Sequence, residues 1–346
     1  MPMKSEKAGV SGKGVIILGA GASRGEHLAS SSADLHVLPP LDSDFFAQVQ
    51  RVSSPDEGTR KLLKFARQLF GAMPSCTMEE FFTTAEFLEG FANVGRLELD
   101  AVHSFGYGVA KVAFKAALLR VLEEAGVAAI DDGARRPVLH AQLFGALEPG
   151  DAVLSFNYDV LADHALMQRS PWRWLPAPKD DLTVRGDTEF WHTHTPTGRG
   201  GPLPEVYLLK MHGSLNWVIE ADGVVLTTPP FDFNRMAIIP PAWSKSIEGG
   251  DVFTRIWRDA LDFLLSAEVL AIVGYALPKT DMWAQALLRY SSTVRAYGRR
   301  PFDTVLVANP DTRAAERLIE LIGPAVGYET RVVCLSGLEE LASFMA

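Results

Sequence analysis

The residues of this 346-residue chain that are suited to chemistry fall in five short stretches. These are Gly19-Ala20-Gly21-Ala22-Ser23, Asn157-Tyr158-Asp159, His212-Gly213-Ser214, Gly274-Tyr275 and Asn309-Pro310-Asp311. An imidazole at His212 exchanges a proton near neutral pH, as a general base must. Asn157 both donates and accepts, which suits a sugar hydroxyl or a positioned water, and Asp159 accepts from an amide. Gly21 lets a backbone approach a phosphate with no side chain between them, and Ser23 adds a hydroxyl donor. Each stretch also has a plainer reading. Gly19 to Ser23 would close a tight turn, Asn157, Asp159 and Asp311 would cap helices, and His212 would bond a carbonyl.

Short apolar runs must position these residues. Gly14-Val-Ile-Ile-Leu18, Ala152–Ser155, Val206–Leu209, Val269–Val273 and Thr304–Ala308 each end at one of the stretches, and Arg331–Leu335 is a sixth such run. They read as buried strands. If the strands are parallel, their carboxyl ends meet in one crevice, where open sheets bind ligands. Helical periodicity at 252–264 (Val252, Phe253, Ile256, Trp257, Ala260, Leu264), 282–291 and 312–322 lies between the later strands. The alternation predicts an α/β fold, a Rossmann-like open parallel sheet. Between Leu41 and Leu147 the pattern is helical. Thr77 and Glu80 have capping-box spacing before a stripe of Phe81, Phe82, Ala85 and Leu88. Val102, Phe105, Val109, Val112, Ala113, Ala116 and Leu119 form a second stripe, ending near Gly126. One crossover does not need that many residues, so 41–147 reads as a large helical insertion into a sheet domain made of 10–40 and 148–346. Residues 170–204 read as a long loop or hairpin, and 215–243 as a hairpin followed by a loop lining the pocket.

Composition narrows the function classes. At 47% apolar the chain has material for one large core or two modest ones. Lys and Arg number 33 against 42 Asp and Glu, a formal charge of −9, which disfavours direct sequence-specific DNA binding. No run reaches the roughly 18 uninterrupted apolar residues of a membrane span, and nothing at the N-terminus reads as a signal peptide. Cys76 and Cys334 are distant singles, giving neither a disulfide framework nor a cysteine zinc site. His192 and His194 share a strand parity but have no third ligand nearby. A cytoplasmic protein without membrane contact and without a metal is expected.

The glycine turn departs from the usual dinucleotide fingerprint. Its next glycine is Gly25, and residues 30–45 offer no second strand bearing an acidic ribose ligand. That argues against an ordinary hydride-transfer dehydrogenase. The ordered set Gly-Ala-Gly-Ala-Ser, Ser-Phe-Asn-Tyr-Asp, Lys-Met-His-Gly-Ser-Leu-Asn-Trp, Val-Gly-Tyr-Ala-Leu-Pro and Asn-Pro-Asp resembles the sirtuin superfamily. It is most similar to the bacterial sirtuin-like proteins that consume NAD. The resemblance runs from about residue 14 to 312.

It implies NAD as the substrate, cleaved to ADP-ribose and nicotinamide by an NAD glycohydrolase. His212 matches the catalytic histidine, Asn157 the asparagine beside the nicotinamide ribose, and Asp159 the aspartate that holds the carboxamide. Gly19, Ala20, Gly21 and Ser23 match the residues around the phosphates. Ser214 and Gly274 lie near the cofactor, and Asn309 with Asp311 near the adenosine. The four-cysteine zinc module and the Gly-Ile-Pro-Asp-Phe-Arg stretch of sirtuin deacylases are missing, which favours hydrolysis over deacylation. An NAD-dependent deacylase or ADP-ribosyltransferase is the runner-up, and a non-catalytic NAD or ADP-ribose sensor belongs to a third class. The resemblance further implies an NAD-depleting effector of bacterial anti-phage defence. Such an effector would be a homo-oligomer or would act beside a nucleic-acid-handling partner, a helicase-like ATPase or an Argonaute-like protein.

Overall fold

The computed structural model describes residues 12–30, 36–94, 107–128, 137–167, 173–174, 183–186, 206–220, 223–241, 251–278 and 281–346. His192, His194, Val102, Phe105 and most of 170–204 lie outside the described residues.

Six five-residue strands form the main sheet: β1 (Gly14–Leu18), β2 (Asp151–Ser155), β5 (Val206–Lys210), β9 (Val269–Val273), β10 (Thr304–Ala308) and β11 (Arg331–Leu335). A two-residue strand, β3 (Arg173–Trp174), extends the sheet beyond β5. Every neighbouring pair is parallel. The six long strands lie in the order β11-β10-β9-β1-β2-β5. Counted along the chain from the β5 edge this is third, second, first, fourth, fifth, sixth, the Rossmann order, whose reversal point lies between β1 and β9. The strands β2, β9 and β10 are buried at every position, as the apolar runs at their centres require of strands covered on both faces. Each Val, Ile or Leu so buried contributes about 1.5–3 kcal/mol. The edge strand β11 is largely exposed, and charge and a free thiol appear there instead.

A second sheet packs beside the first. Its strands β4 (Thr183–Gly186), β7 (Gly223–Leu226), β6 (Gly213–Glu220) and β8 (Met236–Ile238) lie in that order. The hairpin expected near Asp222-Gly223 is the antiparallel β6–β7 pair. The chain passes from β5 into β6 with only Met211 and His212 between them, so His212 sits where the two sheets join.

Between the helix that follows β1 (Ala20–Ser30) and β2 lie helices Phe45–Arg51, Glu57–Phe70, Met78–Val94, Tyr107–Glu124 and Val138–Phe144. The next parallel strand therefore begins only at Asp151, which is why no ribose-binding strand follows the glycine turn directly. The Thr77–Glu80 capping box forms in both directions: Thr77 N–H donates to Glu80 Oε2 (2.8 Å) and Glu80 N–H to Thr77 Oγ1 (3.0 Å). Phe45, Phe46, Phe81, Phe82 and Phe114 pack edge to face, with centroids 4.7–5.4 Å apart. These rings anchor a helical core that also takes in Tyr158, Leu161, Leu215 and Ile238 from the sheet region. Leu143 and Phe144, by contrast, pack in the core of the main sheet.

Of the second helical stripe, Ala113, Ala116 and Leu119 are buried as expected, but two positions need correction. Val109 and Val112 are 37% and 48% exposed, whereas Ala110, Phe114, Ala117, Leu118 and Val121 are buried. Tyr107–Glu124 is apolar on most of its circumference, so its sequence alone does not select the inward face. The stripe Val252 to Leu264 is buried as its periodicity requires.

Glycine is forced at Gly213. Its φ is +80°, and a Cβ there would lie 1.8 Å from the carbonyl oxygen of Ala237 on β8. The residue serves close packing of β6 on β8, not the approach of a ligand. Gly213→Ala should cost about 2–4 kcal/mol from φ strain and overlap. Gly90→Ala, in a helix with nothing within 4 Å of the new methyl, should stabilise by about 0.5–1 kcal/mol. Urea unfolding of the two variants beside the parent checks both signs.

Candidate active site

The parallel register brings the predicted residues together. Leu18, Ser155, Lys210, Val273 and Ala308 stand at one level across five strands. The ladder continues one step further through Gly19 N–H to Val273 O, Phe156 N–H to Leu18 O, Met211 N–H to Ser155 O and Gly274 N–H to Ala308 O. The next residue of each chain, two past the strand, is Ala20, Asn157, His212, Tyr275 or Pro310. All five line a single cavity of about 470 Å³. Gly21, Ser23, Asp159, Gly274, Asn309 and Asp311 line it too. Gly19 and Ser214 do not: Gly19 packs against Tyr275, and Ser214 is fully buried with its hydroxyl 3.4 Å from the Tyr158 carbonyl. The volume lies in the range of small-molecule sites.

Asn157 is fixed by its amide. Its Nδ2 donates to Gly19 O (3.0 Å) and to Ser23 Oγ (2.9 Å). A carbonyl oxygen only accepts, so the nitrogen must face Gly19 and the amide orientation is determined. Oδ1 is buried and has no hydrogen-bond partner. A buried acceptor left open costs about 1–3 kcal/mol, and here it belongs to a residue on the cavity wall.

Ser23 and Asp159 bond to each other, and Asp159 takes the plainer of its two readings. The Ser23 hydroxyl donates to Asp159 Oδ2 (2.6 Å), and Asp159 Oδ1 accepts from Leu161 N–H (3.0 Å) at the start of helix Leu161–Met167. Asp159 is thus a helix cap, with carboxylate lone pairs still available to a ligand amide. Beneath it lies the fully buried Lys210, whose ammonium donates to the Asp159 carbonyl (2.5 Å) and pairs with Asp163 (3.1 Å). Removing one partner of such a buried pair costs about 3–5 kcal/mol, so Lys210 holds the loop bearing Asn157 and Asp159 against β5.

The glycine turn is closed on itself. Gly21 N–H donates to Gly274 O (2.9 Å), and a Cβ on Gly274 (φ +59°) would lie 2.1 Å from Ala22 N. These glycines let the β1 turn and the end of β9 touch at the reversal point. Gly21 therefore offers a ligand surface without a side chain, while its own N–H stays within the chain.

His212 is 5% exposed and set among aromatic rings. Phe156 meets it edge on (5.2 Å), with Tyr158 at 6.1 Å and Trp257 at 6.3 Å. Its Nε2 lies 3.5 Å from Asp281 Oδ2. Asn309 Nδ2 donates to Tyr275 O (3.1 Å) and its Oδ1 accepts from Asp311 N–H. Asp311 caps helix Thr312–Ile322, the plainer of its two readings.

Sequence reading missed Asp42, Glu79, Asp281 and Arg317, all on the cavity wall. Asp281 carried one signal, its place as N-cap before the pattern beginning at 282. Asp42 and Glu79 carried none, because only the tertiary fold brings the helical segment to the sheet edge, and Arg317 lies within the helix Thr312–Ile322 with no motif of its own. Burial pushes the Asp42 carboxyl up to about 6, opposed by the Glu79 N–H (3.0 Å) that it accepts. Burial, then Asp281, push the Tyr275 phenol well above its ordinary range. Among the described residues no group of three or more His, Cys, Asp or Glu is placed to hold a metal ion, and no helix is long and apolar enough to cross a membrane.

The Asp42 shift carries a stability consequence. The folded state holds the extra proton between the ordinary value of 3.8 and about 6, so this carboxyl lowers stability as pH rises through that window. Asp42→Asn should therefore be more stable than the parent by about 1–2 kcal/mol at neutral pH, after allowance for partial exposure, with the gap closing near pH 4. Urea midpoints at the two pH values test this.

No family model matches the sequence, and no curated protein matches it. The fold is similar to a solved structure described as "Structural Basis for the Mechanism and Regulation of Sir2 Enzymes", at 12% identity and a TM-score of 0.40, covering 98% of this chain and 95% of that one.

Proposed function

We propose that this chain is an NAD glycohydrolase, which cleaves NAD with water to nicotinamide and ADP-ribose. The observation that carries the reading is the fixed, buried and unpartnered Asn157 Oδ1, at the same strand-end level as His212 in one cavity. The ordered motifs that resemble the NAD-consuming sirtuin-like proteins support the choice of substrate.

Nicotinamide leaves from a cationic ring, so the C1′–N bond breaks with its electron pair going to a neutral product and needs little acid assistance. The site has to hold the ribose, favour positive charge at C1′ and admit water on the opposite face. Asn157 Oδ1 accepts from a ribose hydroxyl or from the water. As the water oxygen bonds to C1′, His212 accepts its proton. Asp159 orients the carboxamide with its remaining lone pairs, the Ala20–Gly21 turn and Ser23 adjoin the phosphates, and Gly274, Asn309 and Asp311 adjoin the adenosine. Gly19 and Ser214 act behind the wall, by packing.

The helical segment, read as an inserted subdomain over 41–147, contributes Asp42, Met78, Glu79 and Leu118 to the cavity wall and would act as its cover. An NAD-depleting enzyme needs a gate. We read the chain as a homo-oligomeric effector of anti-phage defence, released by a partner that handles nucleic acid.

Purified protein incubated with NAD should release nicotinamide without any acylated peptide. His212→Ala and Asn157→Ala should each lower kcat by about 10²–10³-fold while NAD still binds. Product that appears only when an acylated peptide is added would replace hydrolysis with deacylation. Unchanged turnover in both variants would remove the assignment.

A further inference from the structure

We propose that Asp281 is a positioning residue for His212: it holds the Nε2–H side of the imidazole and leaves Nδ1 as the proton acceptor. The inference rests on His212 being the base of the proposed reaction and adds a residue that none of the sequence motifs contains.

Helix N-capping accounts for only half of Asp281. Its Oδ1 accepts from Ala284 N–H (3.2 Å), the ordinary cap of helix Met282–Gly298. The other oxygen, Oδ2, accepts from the Tyr275 hydroxyl (3.0 Å) and lies 3.5 Å from His212 Nε2. A cap normally stands at the surface, yet this side chain is 1% exposed and that of His212 is 7%. A carboxylate kept out of water is stabilised by each donor its lone pairs can take, and beside Ala284 N–H and the Tyr275 hydroxyl an imidazole N–H is one more.

The carboxylate cannot easily turn away. Its phenol donor is held protonated by burial and by Asp281 itself, so Tyr275 stays a donor across the working pH range. The Tyr275 ring stacks on Phe156 at 4.5 Å, and Phe156 meets the His212 ring edge on. Imidazole, Phe156, Tyr275 and Asp281 thus form a closed circuit of contacts around one charge. Neutral imidazole carries its proton on one nitrogen only. A carboxylate beside Nε2 selects the Nε2–H tautomer, leaves the lone pair on Nδ1, and stabilises the imidazolium once a proton arrives. Other titratable groups on the cavity wall are Tyr158, Asp159, Asp42, Glu79, Asp311 and Arg317. Of these, Asp159 is committed to Ser23 and Leu161, and Asp42 to the helix starting at Met78.

The test uses the full chain labelled with ¹⁵N-histidine, without ligand, and His212→Ala to assign the signal. Long-range ¹H–¹⁵N spectra should show neutral His212 as the Nε2–H tautomer. Asp281→Asn keeps acceptors for Ala284 and Tyr275 but removes the charge, and Asp281→Ser keeps a cap in a shorter side chain. In both variants the His212 titration should move to lower pH, because the imidazolium loses its counter-charge. With NAD, kcat should fall about tenfold, KM should stay within about twofold, and the acid limb of the profile should move to lower pH. An Nδ1–H tautomer in the parent, or a His212 titration unmoved in a folded variant, overturns the proposal whether or not NAD is cleaved. Absence of NAD cleavage with the expected tautomer and shift would instead count against the glycohydrolase reading.

Discussion

Parallel strands pair residue by residue, and at the carboxyl edge of this sheet the pairing sets Leu18, Ser155, Lys210, Val273 and Ala308 at one level. Slipping any strand by one residue would exchange its two faces. At the rim, the same slip would turn Asn157 or His212 away, and at His212 it would present Met211 in its place. The apolar interior forbids the slip, because β2, β9 and β10 have no exposed position to receive a displaced side chain. The free energy that fixes the site therefore comes mainly from burial of Val, Leu and Ile some distance beneath it.

At the reversal point the constraint becomes steric. The β1 turn and the end of β9 approach until Gly21 Cα and the Gly274 backbone leave no room for a Cβ. This contact ties the first half of the sheet to the second and brings Tyr275 alongside Phe156. It also binds the Gly21 N–H to the Gly274 carbonyl. A glycine pair that looks like a phosphate cradle in the sequence thus has a structural duty that takes part of its donor capacity.

How much of this was legible follows from how local each signal is. The strands were readable because β-branched, apolar runs of five residues have few alternatives. The Thr77–Glu80 cap was readable because its two hydrogen bonds span three residues. Asp311 and Asp159 were readable as caps, and they are caps. The inward face of Tyr107–Glu124 was readable only in part: Ala113, Ala116 and Leu119 are buried, but Val109 and Val112 look as apolar and are not. The duty of Gly213 was not legible because its cause, the Ala237 carbonyl, lies on a strand 24 residues away in sequence, across the β6–β8 contact. Asp42 and Glu79 belong to a helical segment whose register against the sheet edge depends on packing among five phenylalanines, which no short motif records.

The charge on the cavity wall bears on the proposed chemistry in a way the motifs do not. Asp42, Glu79, Asp159, Asp281 and Asp311 face Arg317 among the described lining residues. Such a wall favours cations and repels a diphosphate, so tight ground-state binding of a dinucleotide would have to come from backbone dipoles, including the N-terminus of helix Ala20–Ser30. During C1′–N cleavage the positive charge passes from the nicotinamide ring to the ribose, while the leaving group becomes neutral. Carboxylates that stay fixed through that transfer stabilise the cationic ribose without reorganising, and they hold the neutral product more weakly than the substrate ring. Asp42 is the exception, because burial brings its titration close to neutrality. Its charge is the one on this wall that a ligand cation would most readily draw out, which couples occupancy of the site to the capping of the helix that begins at Met78.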